Sequence, residues 1–370
     1  MLAHTQAPRV EVIADEELGP LLRSLGPRQE LRRGGLAGRR EPKRLVALAR
    51  FTGDALFPGY SWCELRSGRR EQRDRGVLCQ TAVEVQSAVG CPFDCAYCPY
   101  THFICANLDV GGFVDRVCAL AEGRRSQSLY KLNNRSDVLG LEPEYGLAPA
   151  LVERFAHLPG RFLMLYAKGV AVDELVELEH QRKTIACFTL SPELSAELLE
   201  TGAPPPAARL SAIAKLAAAG YPIRIRFSPI VPLRGWREAY ADLITRLAAV
   251  AEPELITLWT LSMVPLDELD RIVPLERLDE AALEAAQATA GEMQNRKGAP
   301  FPPSLRAHIY REIGALIRER LPTTAVALCL ETAEVWDAAA RLLVPRRGGS
   351  FVCNCGPRST PTAVARLARR

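Results

Sequence analysis

Three cysteines, Cys91, Cys95 and Cys98, stand within eight residues of the stretch "VGCPFDCAYCPYTH". Thiolates are soft ligands, and three at C-x3-C-x2-C spacing on one segment suit an iron–sulfur cluster, which usually takes four. With only three, one iron keeps an open position for a small molecule. A zinc ion with His102 or Cys105 as fourth ligand is the alternative this spacing leaves open. Structural zinc sites, however, usually pair two short knuckles, whereas here every ligand crowds one loop.

A second group lies far along the chain: Cys329 in "ALCLETAEVW", and Cys353 and Cys355 in "FVCNCG". These thiols are candidates for an auxiliary iron–sulfur cluster or for a hydrogen-donating thiol. The plainer reading is a buried core cysteine and an incidental C-x-C pair, since that spacing is not diagnostic. Cys63, Cys79, Cys105, Cys118 and Cys187 read as core residues or stay unassigned. Eleven cysteines in a reducing compartment point to thiols or metal ligands before disulfides. The five histidines form no HxxxH or HxH pair, which argues against a histidine-rich zinc enzyme.

The elements that must position these residues follow from periodicity. "TAVEVQSAVG", "SLYKLNN", "RFLMLYAKG", "KTIACFTLSP", "PIRIRFSPIVP" and "ELITLWTLSM" read as strands. Between them "FVDRVCALAEGR", "APALVERFAHLPG", "AVDELVELEHQ", "PPPAARLSAIAKLAAAGYP" and "WREAYADLITRLAAVA" read as helices. Apolar strands alternating with helices predict a parallel sheet covered by helices. Six repeats predict a partial (β/α)6 TIM-like barrel, with its site at the C-terminal ends of the strands. The expected organisation is a basic N-terminal extension over 1–80, the barrel over 81–265 and an α-rich C-terminal segment over 266–370 carrying the second cysteine group.

In that fold the cysteine triplet follows the first strand, at the catalytic mouth. The later strand ends bring Asn133, Asn134, Ser136 and Asp137, then Lys168, then Thr189 and Ser191. They continue with Arg224, Arg226 and Ser228, and end with Trp259, Thr260 and Ser262. A lysine and hydroxyls there could hold a carboxylate, and Asn and Asp could accept from an amino group or ribose hydroxyls. Arg224 and Arg226 share one strand face and would bind an anion if that face points inward.

Composition narrows the class. With 24% charged residues and no apolar run near the roughly 20 residues that span a bilayer, a soluble, non-membrane, cytoplasmic chain is expected. The net charge of +4 is uneven: residues 1–80 hold 15 Lys+Arg against 10 Asp+Glu, mostly in "RQELRRGGLAGRREPKR" and "RSGRREQRDRG". Such runs either touch phosphates or form a solvated surface.

The triplet "GCPFDCAYC", with an aromatic at Tyr97, resembles that of the radical S-adenosylmethionine (SAM) superfamily. "NRSDVLGLEPE", "YAKG" and "AAAGYPIRIRFSPIVPLRGWREAYADLI" resemble the spore photoproduct lyase family within it, from about residue 60 to 265. The resemblance implies a 4Fe-4S cluster on Cys91, Cys95 and Cys98 and SAM on its open iron. Reductive cleavage of SAM would then give a 5′-deoxyadenosyl radical, with flavodoxin or ferredoxin as reductant. It also implies contacts to SAM from Ser136, Lys168 and Thr189; Tyr97, Asp137 and Arg226 are further cofactor-binding candidates. Two departures mark the chain. Asn134 stands where the lyase has its hydrogen-donating cysteine, and Pro99 stands where a tyrosine follows the third cluster cysteine. Tyr97 and Asn134 are therefore the candidates at the step that ends the radical. The expected substrate is a nucleic acid, nucleotide or nucleoside-like molecule. The alternatives are a sulfur-inserting or tailoring enzyme with an auxiliary cluster, and a zinc-containing nucleic-acid-binding protein.

Overall fold

The structure is a computed structural model that describes residue 20, residues 44–48, 51, 53, 56 and 60, and then 61–100, 103–294, 296–346 and 351–368. The basic run over 28–43 and His102 lie outside the described residues.

Eight strands form the central sheet: β1 (Cys63–Arg66), β2 (Ala82–Val85), β3 (Leu129–Leu132), β4 (Phe162–Ala167), β5 (Thr184–Leu190), β6 (Ile223–Ile230), β7 (Leu255–Thr260) and β8 (Ala325–Leu328). Their spatial order is their chain order. β1 pairs antiparallel with β2, and every later neighbour pair is parallel. β2 to β7 are the six strands expected from the sequence. β1 and β8 extend the sheet beyond them on either side.

Most helices form where the sequence places them. The helix Trp236–Val250 buries Trp236, Tyr240, Leu243, Ile244 and Leu247 at helical spacing against the sheet, with Tyr240 edge-on to Phe227 of β6 at 5.4 Å. Each such side chain contributes about 1.5–3 kcal/mol. One helix is much shorter than expected. "AVDELVELEHQ" gives only the single turn Asp173–Val176. His180 instead stacks on Tyr221 at 3.6 Å, and Gln181 and Arg182 turn the chain at φ 48 and 56 into β5. The C-terminal segment holds the helix Pro303–Arg320 and also β8.

Among the described residues no ladder joins β1 to β8, so the barrel has a seam. A two-residue antiparallel bridge spans it: Val77–Leu78, after β1, pairs with Glu331–Thr332, after β8, with Glu331 opposite Leu78. The helix Gly68–Arg75 leads into this bridge. At Gly68 a Cβ would stand 2.1 Å from the Cys79 carbonyl oxygen, so only glycine permits that approach. Outside, this helix pairs Arg70 and Arg73 with Asp74, and Arg75 with Glu71, at 2.8–3.4 Å. Part of this basic run's charge is thus met by its own helix.

Candidate active site

The cysteine loop begins just past β2. Ala88–Val89 pairs antiparallel with Phe103–Asn107, and the loop lies between them. Its centre is fixed from elsewhere: Asp94–Cys95 pairs antiparallel with Glu200–Thr201, and Ala96 N donates to Leu199 O at 2.8 Å. The triplet is therefore tied to the chain beyond β5. Cys105 is fully buried in Phe103–Asn107 opposite Val89, and it is not among the residues lining the cavity described next.

The three cysteines border a cavity of about 610 Å³ at the strand ends. The candidates Tyr97, Asn134, Ser136, Asp137, Lys168, Thr189 and Arg226 all line it. Burial pushes the Cys91 thiol well up and the Cys95 thiol up to about 11.

A buried carboxylate that the sequence did not single out organises one side. Glu200 accepts from Tyr97 Oη at 2.8 Å and from Ser191 Oγ at 3.0 Å, and it pairs with Arg209 at 2.6 Å and Lys168 at 3.7 Å. Burial would raise its pKa, but Lys168 and Arg209 outweigh burial and hold it below the ordinary carboxylate range. In the same way burial would lower Lys168, yet Glu200 and Cys95 leave it raised and charged. Lys168 Nζ also lies 5.4 Å from the Tyr97 ring centroid. Only the pairing with Cys95 marks Glu200, and that pairing is invisible in sequence.

Around this cluster the polar ends divide by role. Ser136 Oγ and Ser262 Oγ are buried without a hydrogen-bond partner, an arrangement that invites a ligand with donors and acceptors of its own. Asp137 is engaged by the backbone: its carboxylate accepts from Lys168 N, and from Gly169 N and Leu139 N at 3.1 Å. It shapes the turn after β4, which a free acceptor for ribose would not do. Asn134 Oδ1 accepts from Lys131 Nζ.

The opposite wall is cationic and aromatic. Arg226 sits 4.4 Å over the Tyr166 ring and 5.9 Å from the Trp259 ring, and Lys131 sits 4.1 Å over Tyr166. Arg66 pairs with buried Glu84 at 3.2 Å, and Lys131 reaches the same carboxylate at 3.9 Å. Burial lowers the pKa values of both Lys131 and Arg226. Among the described residues Arg226 has no carboxylate partner; its recorded hydrogen bond goes to Ser228 Oγ at 3.3 Å. Arg224, on the same face, is fully buried against Glu254 at 2.6 Å and reaches no ligand space.

Cys329, Cys353 and Cys355 line this same cavity, as does Cys79. Arg66 Nη2 donates to Cys355 Sγ at 3.0 Å. The hydrogen bond from Cys353, followed by the charge of Arg66, holds the Cys355 thiol well below its ordinary value despite burial. Among the described residues no three His, Cys, Asp or Glu side chains are arranged to hold a single metal ion. None of the eleven cysteines is in a disulfide.

Comparison with known proteins fits this geometry. The family model described as spore photoproduct lyase matches residues 82–264. The spore photoproduct lyase of Bacillus subtilis (strain 168) is 27% identical over 172 residues, 44% of this chain and 49% of that protein. That of Geobacillus sp. (strain Y412MC61) is 29% identical over 175 residues, 45% of this chain and 50% of that protein. The chain thus spans about half the length of the curated relatives it matches. A solved spore photoproduct lyase double mutant with bound AdoMet and dinucleoside spore photoproduct superimposes with a TM-score of 0.58 at 18% identity, covering 76% of this chain and 81% of that one. A single mutant with dinucleoside spore photoproduct gives 0.59 at 17% identity, covering 88% and 89%. These structures share the partial TIM-like barrel. Residues 82–264 thus match the spore photoproduct lyase family model, and the chain shares the fold of the solved spore photoproduct lyases.

Proposed function

We propose that this chain is a radical SAM enzyme acting on a nucleic-acid, nucleotide or nucleoside-like substrate. The observation that carries the reading is one cavity at the strand ends bordered both by the triplet and by Ser136, Lys168, Thr189 and Arg226. When bound there, a 4Fe-4S cluster and SAM supply a 5′-deoxyadenosyl radical that takes a hydrogen atom from the substrate. Cys91, Cys95 and Cys98 would hold the cluster, and the donor set fits it: three thiols on one loop, bordering a space with two unpartnered serine hydroxyls. Ser136, Ser262 and Thr189 offer hydroxyls for SAM. Lys168, kept charged by Glu200, offers a cation for its carboxylate. Tyr97 is held by Glu200 and closes the site beside Cys98. Arg226, Lys131 and Trp259 offer cations and an aromatic face to an anionic, base-bearing substrate.

The dinucleoside photoproduct bound by the solved neighbours supports that substrate class. Asn134 and Pro99 argue for a reaction that ends differently from the lyase's. A flavodoxin or ferredoxin would deliver the electron, in the cytoplasm, where thiols stay reduced. A second reading, sulfur insertion or tailoring of a small molecule, is favoured by Cys329, Cys353 and Cys355 on the same cavity.

Anaerobic reconstitution followed by reduction with SAM tests the proposal. The expected result is 5′-deoxyadenosine whose yield rises with oligonucleotides or nucleotides. Stoichiometric zinc, or no SAM cleavage under reductant, would overturn it. Sulfur transfer into the product would favour the second reading.

A further inference from the structure

We infer that Cys79, Cys329, Cys353 and Cys355 together form a second, complete iron–sulfur site in the wall of the same cavity. The sequence suggested only three of these; the fold supplies the fourth. The bridge across the barrel seam pairs Leu78 with Glu331, so continuing its register sets Cys79 opposite Leu330, next to Cys329. The C-x-C loop reaches the same place from the C-terminal side. Arg224 donates to the carbonyls of Asn354 and Ser359, Asn354 Nδ2 donates to Thr257 Oγ1 at 2.7 Å, and Ser128 N donates to Pro357 O at 2.9 Å. A Cβ on Gly356 would stand 3.3–3.4 Å from Gln80, the neighbour of Cys79, so the loop packs directly on that segment. All four thiols line the cavity, with Arg66 on Cys355 and Cys353 hydrogen-bonded to Cys355.

A fully buried arginine is costly, and Arg224 directs two donors at one loop whose polar side chains otherwise face inward. That outlay has a physical rationale if the loop carries ligands. The ligand type follows from the donors: four soft thiolates suit iron–sulfur chemistry. A single zinc holds its sulfurs at about 2.3 Å and thus under ~4 Å from one another. Among the described residues no three His, Cys, Asp or Glu side chains are arranged to hold a single metal ion, whereas a cluster distributes its thiolates over four irons. Arg66 and Lys131 offset part of the added negative charge. A shell of four leaves no open iron, so the site holds electrons and does not bind a second SAM or the substrate. This inference does not require the triplet to be loaded.

Iron and sulfide counting with EPR, after anaerobic reconstitution with iron and sulfide, tests it. About eight irons are expected per wild-type chain, and about four in a Cys91→Ala/Cys95→Ala/Cys98→Ala variant. Cys79→Ala in that background should lose one iron and show a three-iron signal on oxidation, with an unchanged circular dichroism spectrum. A triplet variant that is folded but binds no iron would overturn the inference. So would one zinc per chain at these thiols, or a Cys353–Cys355 disulfide in anaerobically purified protein. If instead the triplet stays empty while four irons remain at the second site, the inference stands and the proposed function falls.

Discussion

The two cysteine groups face one cavity but are assembled in opposite ways. Cys91, Cys95 and Cys98 come from eight consecutive residues, and the fold needs only to hold one loop, which it does through Cys95 and Glu200. Cys79, Cys329, Cys353 and Cys355 come from three segments spread over 277 positions, the first two joined by the bridge over the barrel seam and the C-x-C loop braced by Arg224 and Asn354. A local site can be recognised by spacing; a distributed one is visible only after the strands are paired.

The comparison breaks most decisively at the local site. Cys91→Ala/Cys95→Ala/Cys98→Ala should abolish 5′-deoxyadenosine formation while leaving folding and the distributed site in place; product chromatography and iron counting check both. Next in size, Arg224→Met leaves Glu254 without its partner and releases the C-x-C loop. It should cost about 3–5 kcal/mol and lower iron at the distributed site alone, read by denaturant unfolding and iron analysis. Glu200→Gln strands Lys168 and Arg209, and should cost a few kcal/mol and loosen the local loop. Because the Glu200 pKa is lowered on folding, its contribution is complete above about 4.5 and fades as pH falls below that. The stability gap between wild type and Glu200→Gln should therefore shrink in acid, as pH-dependent melting will record. The smallest effect is expected from Arg66→Gln. Iron content should be kept, but the reduction potential of the distributed site alone should fall, since a charged donor to Cys355 sulfur is lost. Potentiometric EPR titration distinguishes the two centres.

Much of this was legible beforehand, for identifiable reasons. The six strands β2 to β7 announce themselves as apolar, β-branched runs, and the triplet by its spacing. The strand period put Arg224 and Arg226 on one face without saying which way it points; Arg226 lines the cavity, whereas Arg224 braces a loop. The helix over 171–181 was overread because the apolar period continues through Leu178, while stacking of His180 on Tyr221 ends it. Glu200, Arg209, Arg66 and Cys79 carry no local signal. Arg209 acquires its role from Glu200 nine residues before it, and the other three from partners dozens to hundreds of residues away. Asp137 was readable as a polar strand end, but not that backbone amides would claim it.

The seam between β1 and β8 gives the molecule a latch. The bridge of Val77–Leu78 with Glu331–Thr332 is only two residues long, so little backbone hydrogen bonding holds the barrel's edges together there. Whatever binds across it adds its binding free energy to closure. Maturation and closure then become one equilibrium: the apo chain should exchange amide hydrogens at 77–78 and 331–332 well before the rest of the sheet, and loading the thiols should silence that breathing.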